Sequence, residues 1–122
     1  MTVEMSTTLG RIDVSSEVIA TIAGGAAVDC YGLVGMASRK ALKDGLTELL
    51  GQESLSRGVE VHEKENKVDI DLHIIVSYGV KITDIAHHVQ TRVKNSLEQT
   101  LGVQVGAVNI LVQGVRVSDL TI

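Results

Sequence analysis

The chain has 122 residues, the size of one domain, and a formal charge of −4. Hydrophobic residues make up 44% and charged residues 21%, which excludes a disordered chain. The acidic balance supplies no net attraction for nucleic-acid phosphates or anionic lipid.

The core has to be aliphatic, because Phe and Trp are absent and Tyr31 and Tyr78 are the only aromatic residues. Cys30 is the single cysteine, so no intramolecular disulfide is possible and no oxidising compartment is implied. Residues 1–10 carry no basic segment followed by an apolar one, as a secretory signal would. No apolar run approaches the roughly 20 residues of a membrane span. A cytoplasmic location is expected, with any membrane association made through a partner. There is no Pro, no Gly/Ser linker and no internal repeat. One domain over 1–122 is expected, with its core at about 8–117.

In chain order, residues 1–7 are polar and are expected to fray. Residues 8–14 alternate apolar and polar, which predicts a short strand. Ser15 or Ser16 then caps a helix over about 16–30, with Glu17 in its first turn and Val18, Ile19, Ile22, Ala23, Ala26 and Cys30 at helical spacing. Gly24 and Gly25 fall inside this helix. A helix interior has no free N–H groups for a phosphate, so the pair reads as part of a helix whose small-residue face, Ala23, Gly24, Ala26 and Ala27, packs closely on a sheet. Leu33, Val34 and Met36 form a brief strand. Leu42, Leu46, Leu49 and Leu50 form one stripe of a short helix over 41–50, closed by Gly51.

The strongest signal is a hairpin. Val59 and Val61 alternate with Glu60 and His62; after Lys64-Glu65-Asn66-Lys67, Val68, Ile70, Leu72, Ile74 and Val76 recur at every second position. Pairing Glu63 with Val68 sets Val61 against Ile70 and Val59 against Leu72. The same register sets His62 against Asp69 and Glu60 against Asp71, so both faces agree. Thr83 or Asp84 is expected to cap a second long helix with the stripe Ile85, Val89, Val93, Leu97 and Leu101, stopped by Gly102. Residues 103–117 read as one long strand. Its apolar parity changes at Gly106-Ala107 and at Gly114, which predicts bulges. The expected fold is α+β and two-layered: one mainly antiparallel sheet, two long helices on one face, and a short extra helix.

Several residue sets could carry chemistry. His62, Asp69, Asp71 and His73 could share one hairpin face and offer metal ligands. Alternating polar residues also describe any half-exposed hairpin, and no metal or cofactor is expected. Adjacent His87 and His88 stand about 100° apart on a helix, too far to chelate one ion together. Cys30 lies on an apolar face with no base beside it and reads as a buried thiol rather than a nucleophile. No catalytic motif is present, so no enzyme is expected. The Leu42 stripe has a mixed-charge polar side and reads as packing on its own domain rather than on a membrane. Gly32-Leu-Val-Gly35 offers a rival function. A GxxG loop between helices clamps single-stranded nucleic acid in KH domains, and Arg39 and Lys40 lie nearby. Leu33 and Val34, however, give phosphate neither charge nor donor.

The last strand is rich in β-branched residues and uncharged from Val103 to Val115. If it is central, its apolar faces are core. If it is an edge, its bare backbone suits pairing with a partner or a second copy. Val105, Asn109, Leu111 and Gln113 are the candidate interaction residues, with Asn109 expected to point away from the helices.

Four stretches together resemble the alkaline-shock (envelope-stress-response) family of Gram-positive bacteria. They are residues 10–24 (Gly-Arg-Ile-Asp-Val-Ser-Ser-Glu-Val-Ile-Ala-Thr-Ile-Ala-Gly), residues 71–82 with Tyr78-Gly-Val80, Val89-Gln-Thr-Arg-Val93, and Val108-Asn-Ile-Leu-Val-Gln-Gly-Val115. The resemblance implies a cytosolic, non-catalytic protein linked to envelope stress or homeostasis. It also implies protein partners, in some members a membrane-anchored one, and self-association. No catalytic residues are established for the family, so it supplies none here. The long charged terminal extensions of some members are missing from this chain.

Overall fold

The computed structural model describes residues 2–37 and 56–117. The chain opens with an antiparallel hairpin of β1 (Thr2–Thr7) and β2 (Gly10–Ser15), paired from Thr2 with Ser15 to Thr7 with Gly10. This corrects the expected frayed terminus. Val3 and Val14 face each other and are buried, which anchors the ribbon to the core. On its other face Arg11 bridges Glu4 at 3.6 Å and Asp13 at 3.2 Å. The polar composition of 1–7 hid a strand that only its partner makes stable.

α1 (Ser16–Val28) starts where Ser15 Oγ accepts the N–H of Val18 at 3.3 Å. It ends two residues before the expected limit, and its buried face is Ile19, Ala20, Ala23, Gly24 and Ala27. β3 (Leu33–Met36) follows, then β4 (Val59–Lys64) and β5 (Lys67–Ser77). The β4–β5 register is the expected one at every pair from Val59–Leu72 to Glu63–Val68. Glu65 (φ 53°) and Asn66 (φ 67°) close the hairpin as a two-residue turn whose positive φ values match the strand twist.

α2 (Ile82–Leu101) buries Ile85, Val89, Val93 and Leu97. Its N-cap position is Lys81, and no side chain caps it; Thr83 and Asp84 lie inside the first turn, which corrects the expected cap. Gly102 ends it in the left-handed region (φ 74°), and its N–H donates to Glu98 O at 3.0 Å.

β6 (Val105–Arg116) runs parallel to β5. This corrects the single, mainly antiparallel sheet: β1 and β2 form a sheet of their own, and the larger sheet is mixed. The reason is connectivity. α2 carries the chain back along the sheet, so β6 re-enters in the direction of β5. The register slips at Gly106-Ala107, where a parity change predicted a bulge, and at Gln113, one residue before the bulge predicted at Gly114. β6 takes one flank of β5 along residues 68–77. β4 (against 67–72) and β3 (against 74–76) therefore lie end to end on the other flank.

Alternate β5 residues Val68, Ile70, Leu72, Ile74 and Val76 join the buried residues of both helices in one cluster with Val3, Met36, Val59, Val103, Val105 and Val108. α1 packs against α2, β2, β3 and β4, and α2 against α1 and β6. The short helix expected over 41–50 lies outside the described residues.

Two glycines should respond in opposite ways. A Cβ at Gly25 meets nothing within 4 Å, so Gly25→Ala should raise stability by about 0.5–1 kcal/mol. Gly32 sits at φ +90°, and a Cβ there would stand 2.6 Å from Ile85 Cδ1. Gly32→Ala should cost about 1–3 kcal/mol. Urea unfolding of both variants checks this.

Candidate functional site

The face of the larger sheet opposite the shared core carries the polar cluster. β4 contributes Glu60 and His62, β5 contributes Asp69, Asp71 and His73, and β6 contributes Asn109, because successive strand residues alternate between faces. The polar contacts run diagonally across the register. His62 Nε2 reaches Asp71 Oδ2 at 3.3 Å, and His73 Nε2 reaches Glu60 Oε1 at 3.4 Å. Sheet twist brings such diagonal neighbours within reach of long side chains. Asn109 Nδ2 donates to Asp71 Oδ1 at 2.8 Å, and Asp69 Oδ1 accepts the N–H of Ala107 at 3.0 Å. The bulge at Gly106-Ala107 thus turns a backbone donor onto Asp69.

These contacts make two His–carboxylate pairs rather than a cage. Among the described residues no group of three or more His, Cys, Asp or Glu is placed to hold an ion. His73 is 8% exposed, and its Nδ1 is buried with no hydrogen-bond partner among the described residues. His87 and His88 are both exposed on α2.

The GxxG segment does not form a loop here. Leu33 to Met36 is strand, Gly35 pairs with Ile75, and Gly32 O accepts the N–H of Ser77 at 2.9 Å. Cys30 is buried among the core residues, its Sγ 3.7 Å from Ala26 O. Burial pushes its thiol pKa up; nearby Arg92 lowers it and Asp29 raises it, to a lesser extent.

β6 is the remaining candidate. Among the described residues it pairs only with β5. Val68 N–H donates to Gln104 O and Tyr78 N–H to Arg116 O, both at 2.8 Å, so even-numbered β5 residues turn their backbone to β6. His73 O accepts from Ala37 on the other flank, at 2.9 Å. In the register of Ile70 with Val108 and Leu72 with Ile110, the backbone of Asn109 and Leu111 then faces β5, and that of Val108, Ile110 and Val112 faces the far flank. Gln90 Nε2 of α2 donates to Val108 O at 2.9 Å, which already occupies one of those acceptors. Of the four residues singled out from sequence, Asn109 and Leu111 are exposed, Gln113 is half-buried with a polar partner, and Val105 lies in the core. Val105 precedes the first bulge, and that bulge separates its face from Asn109.

A small α+β domain with a paired polar sheet face and a long strand on its flank is the class that these features define. The chain belongs to the alkaline shock protein family, described by its cell envelope-related function, whose model matches residues 4–117. It is 58% identical over 119 residues to the uncharacterized protein YloU of Bacillus subtilis, covering 98% of this chain and 99% of that one. It is 42% identical over 117 residues to the uncharacterized protein Spy1614 of Streptococcus pyogenes serotype M6, covering 96% and 97%. A second Bacillus subtilis protein, the uncharacterized YqhY, is 30% identical over 110 residues, 90% of this chain and 80% of that one. No solved structure matches the chain significantly. The resemblance carried by the four sequence stretches thus holds at the level of family. No helix among the described residues is long and apolar enough to cross a membrane.

Two measurements follow from this chemistry. His73→Leu should raise stability by about 1 kcal/mol, because it removes a buried nitrogen without a partner and leaves Glu60 partly solvated. Thermal unfolding reads the change, and a loss of stability would mean that Nδ1 is satisfied in solution. For Cys30 the sign follows from the raised pKa. The folded state holds the thiol proton more tightly than the unfolded state, so this contribution is full below the ordinary thiol pKa and is lost as pH rises through the raised one. Wild type should therefore lose stability relative to Cys30→Ala on the alkaline side, and native thiol labelling should be slow.

Proposed function

We propose that this chain is a non-catalytic interaction protein in cell-envelope stress response or homeostasis of Gram-positive bacteria. It acts in the cytoplasm through protein partners, of which a membrane-anchored protein is one kind, and through self-association. The site is the outward side of β6, with Asn109, Leu111 and Gln113 presented beside the strand's far flank. Val105 supports that site from the core.

One observation carries the reading. β6 is long, has no charged side chain from Val105 to Val115, and among the described residues pairs on one flank alone. Strands of this kind are normally blunted by Lys, Pro or short length unless they are used. Backbone groups of Ile110 and Val112 directed to that flank give main-chain hydrogen bonds to an added strand, and Leu111 and Asn109 give side-chain contacts. The family's cell envelope-related description supports an envelope setting for such docking. No residue set described above assembles a nucleophile with a base and an oxyanion site, and the KH-like alternative loses its loop because Leu33 and Gly35 are paired in β3 against β5.

The test is Asn109→Lys, alone and with Leu111→Lys. Both positions are exposed, so the fold should survive. Concentration-dependent sedimentation and partner recovery from cross-linked native cells should fall by about tenfold or more, since charge at a strand edge disfavours pairing. Unchanged association with unchanged unfolding would rule out this surface.

A further inference from the structure

The chain's only two aromatic side chains are both left in solvent: Tyr31 is 87% and Tyr78 is 70% exposed. Sequence places them far apart; the β3–β5 register places them together. Leu33 pairs with Val76, and Ser77 N–H donates to Gly32 O at 2.9 Å, so Tyr31 and Tyr78, the residues next to that bond, flank the same end of the β3–β5 pair. Tyr78 N–H also donates to Arg116 O at 2.8 Å, which ties the end of β6 to the same pole. Ile82, at the start of α2, and Val115, near the end of β6, are 40% and 49% exposed. Singly exposed apolar residues are ordinary, but a contiguous group rimmed by charge marks an interaction surface.

Two glycine turns shape the pole, Gly32 (φ +90°) and Gly79 (φ +95°). Lys81 and Arg116 are exposed there, although the chain as a whole is at −4. Of the acids nearby, Asp29 is paired with Arg92 at 3.5 Å, and Asp84 lies in the first turn of α2, where the helix dipole offsets its charge.

We propose that the pole formed by Tyr31, Tyr78, Ile82 and Val115, flanked by Lys81 and Arg116, docks a segment of another protein that carries carboxylates beside aliphatic side chains. Two cations suit a short acidic segment. A polyanion such as single-stranded nucleic acid would meet the repulsion of the whole acidic chain. This surface adjoins the end of β6 but uses side chains other than Asn109, Leu111 and Gln113, and it does not depend on that reading.

The absence of Trp makes the test direct, because Tyr31 and Tyr78 are the protein's only strong fluorophores. The probe is a short synthetic peptide alternating Glu with Leu and Val, without aromatics, titrated into the full chain while tyrosine emission is recorded. A saturable change is expected. It should be missing with the same peptide carrying Lys for Glu, and its Kd should rise about tenfold in Lys81→Glu/Arg116→Glu. Asn109→Lys should leave that Kd unchanged. Should the double variant fail to fold, Tyr31→Ser decides, with Tyr78 still reporting, and the same weakening is expected. No saturable change, equal response to the Lys peptide, or an unaffected Kd in the folded variants overturns the proposal. Binding of a labelled oligothymidylate by anisotropy with no response to the acidic peptide overturns it in favour of nucleic acid.

Discussion

β5 is the strand on which the rest of the structure depends. Leu72 to Val76 are five consecutive buried residues, so the strand is covered on both faces as well as hydrogen-bonded on both flanks. One face supplies Ile70, Leu72, Ile74 and Val76 to the core shared with α1 and α2. The other face carries Asp69, Asp71, His73 and Ile75, so the polar cluster is anchored on the same backbone that organises the core. Aliphatic side chains alone achieve this packing. Leu, Ile and Val each bury enough area to contribute about 1.5–3 kcal/mol, and their restricted rotamers fit the pleat.

The same strand explains how surface features arise. Its antiparallel flank is divided between β4 and β3, and the entry into β3 sets Gly32 against Ser77, next to Tyr78. Its parallel flank is given to β6 through the α2 crossover. Among the described residues β6 pairs on one flank alone, and α2 reaches across with Gln90 to satisfy one carbonyl of the other flank.

His62, Asp71, His73 and Glu60 illustrate why a polar constellation need not be a reaction centre. Their pairs are diagonal and separate, so each histidine meets one carboxylate. Among the described residues no third ligand joins either pair. His73 is the tense member, buried with Nδ1 unpartnered among the described residues.

Everything legible in the order of residues was local and periodic. The two-residue alternation of Val59–Val61 and Val68–Val76 defined which residues share a face, and only one hairpin register satisfied both faces. The i, i+4 stripe from Ile85 to Leu97 defined the buried side of α2, and Gly102 marked its end. Parity breaks marked both bulges of β6 before any partner strand was known. Packing settled whatever has no local period. Thr2 to Thr7 became a strand because β2 folds back on it and buries Val3 against Val14. β6 ran parallel to β5 because a helix intervenes. Tyr31 and Tyr78 came to one end of the sheet because β3 returns against β5. Side-chain alternation encodes a residue's face, but the choice of neighbouring strand depends on where intervening elements pack, and that is a property of the whole core.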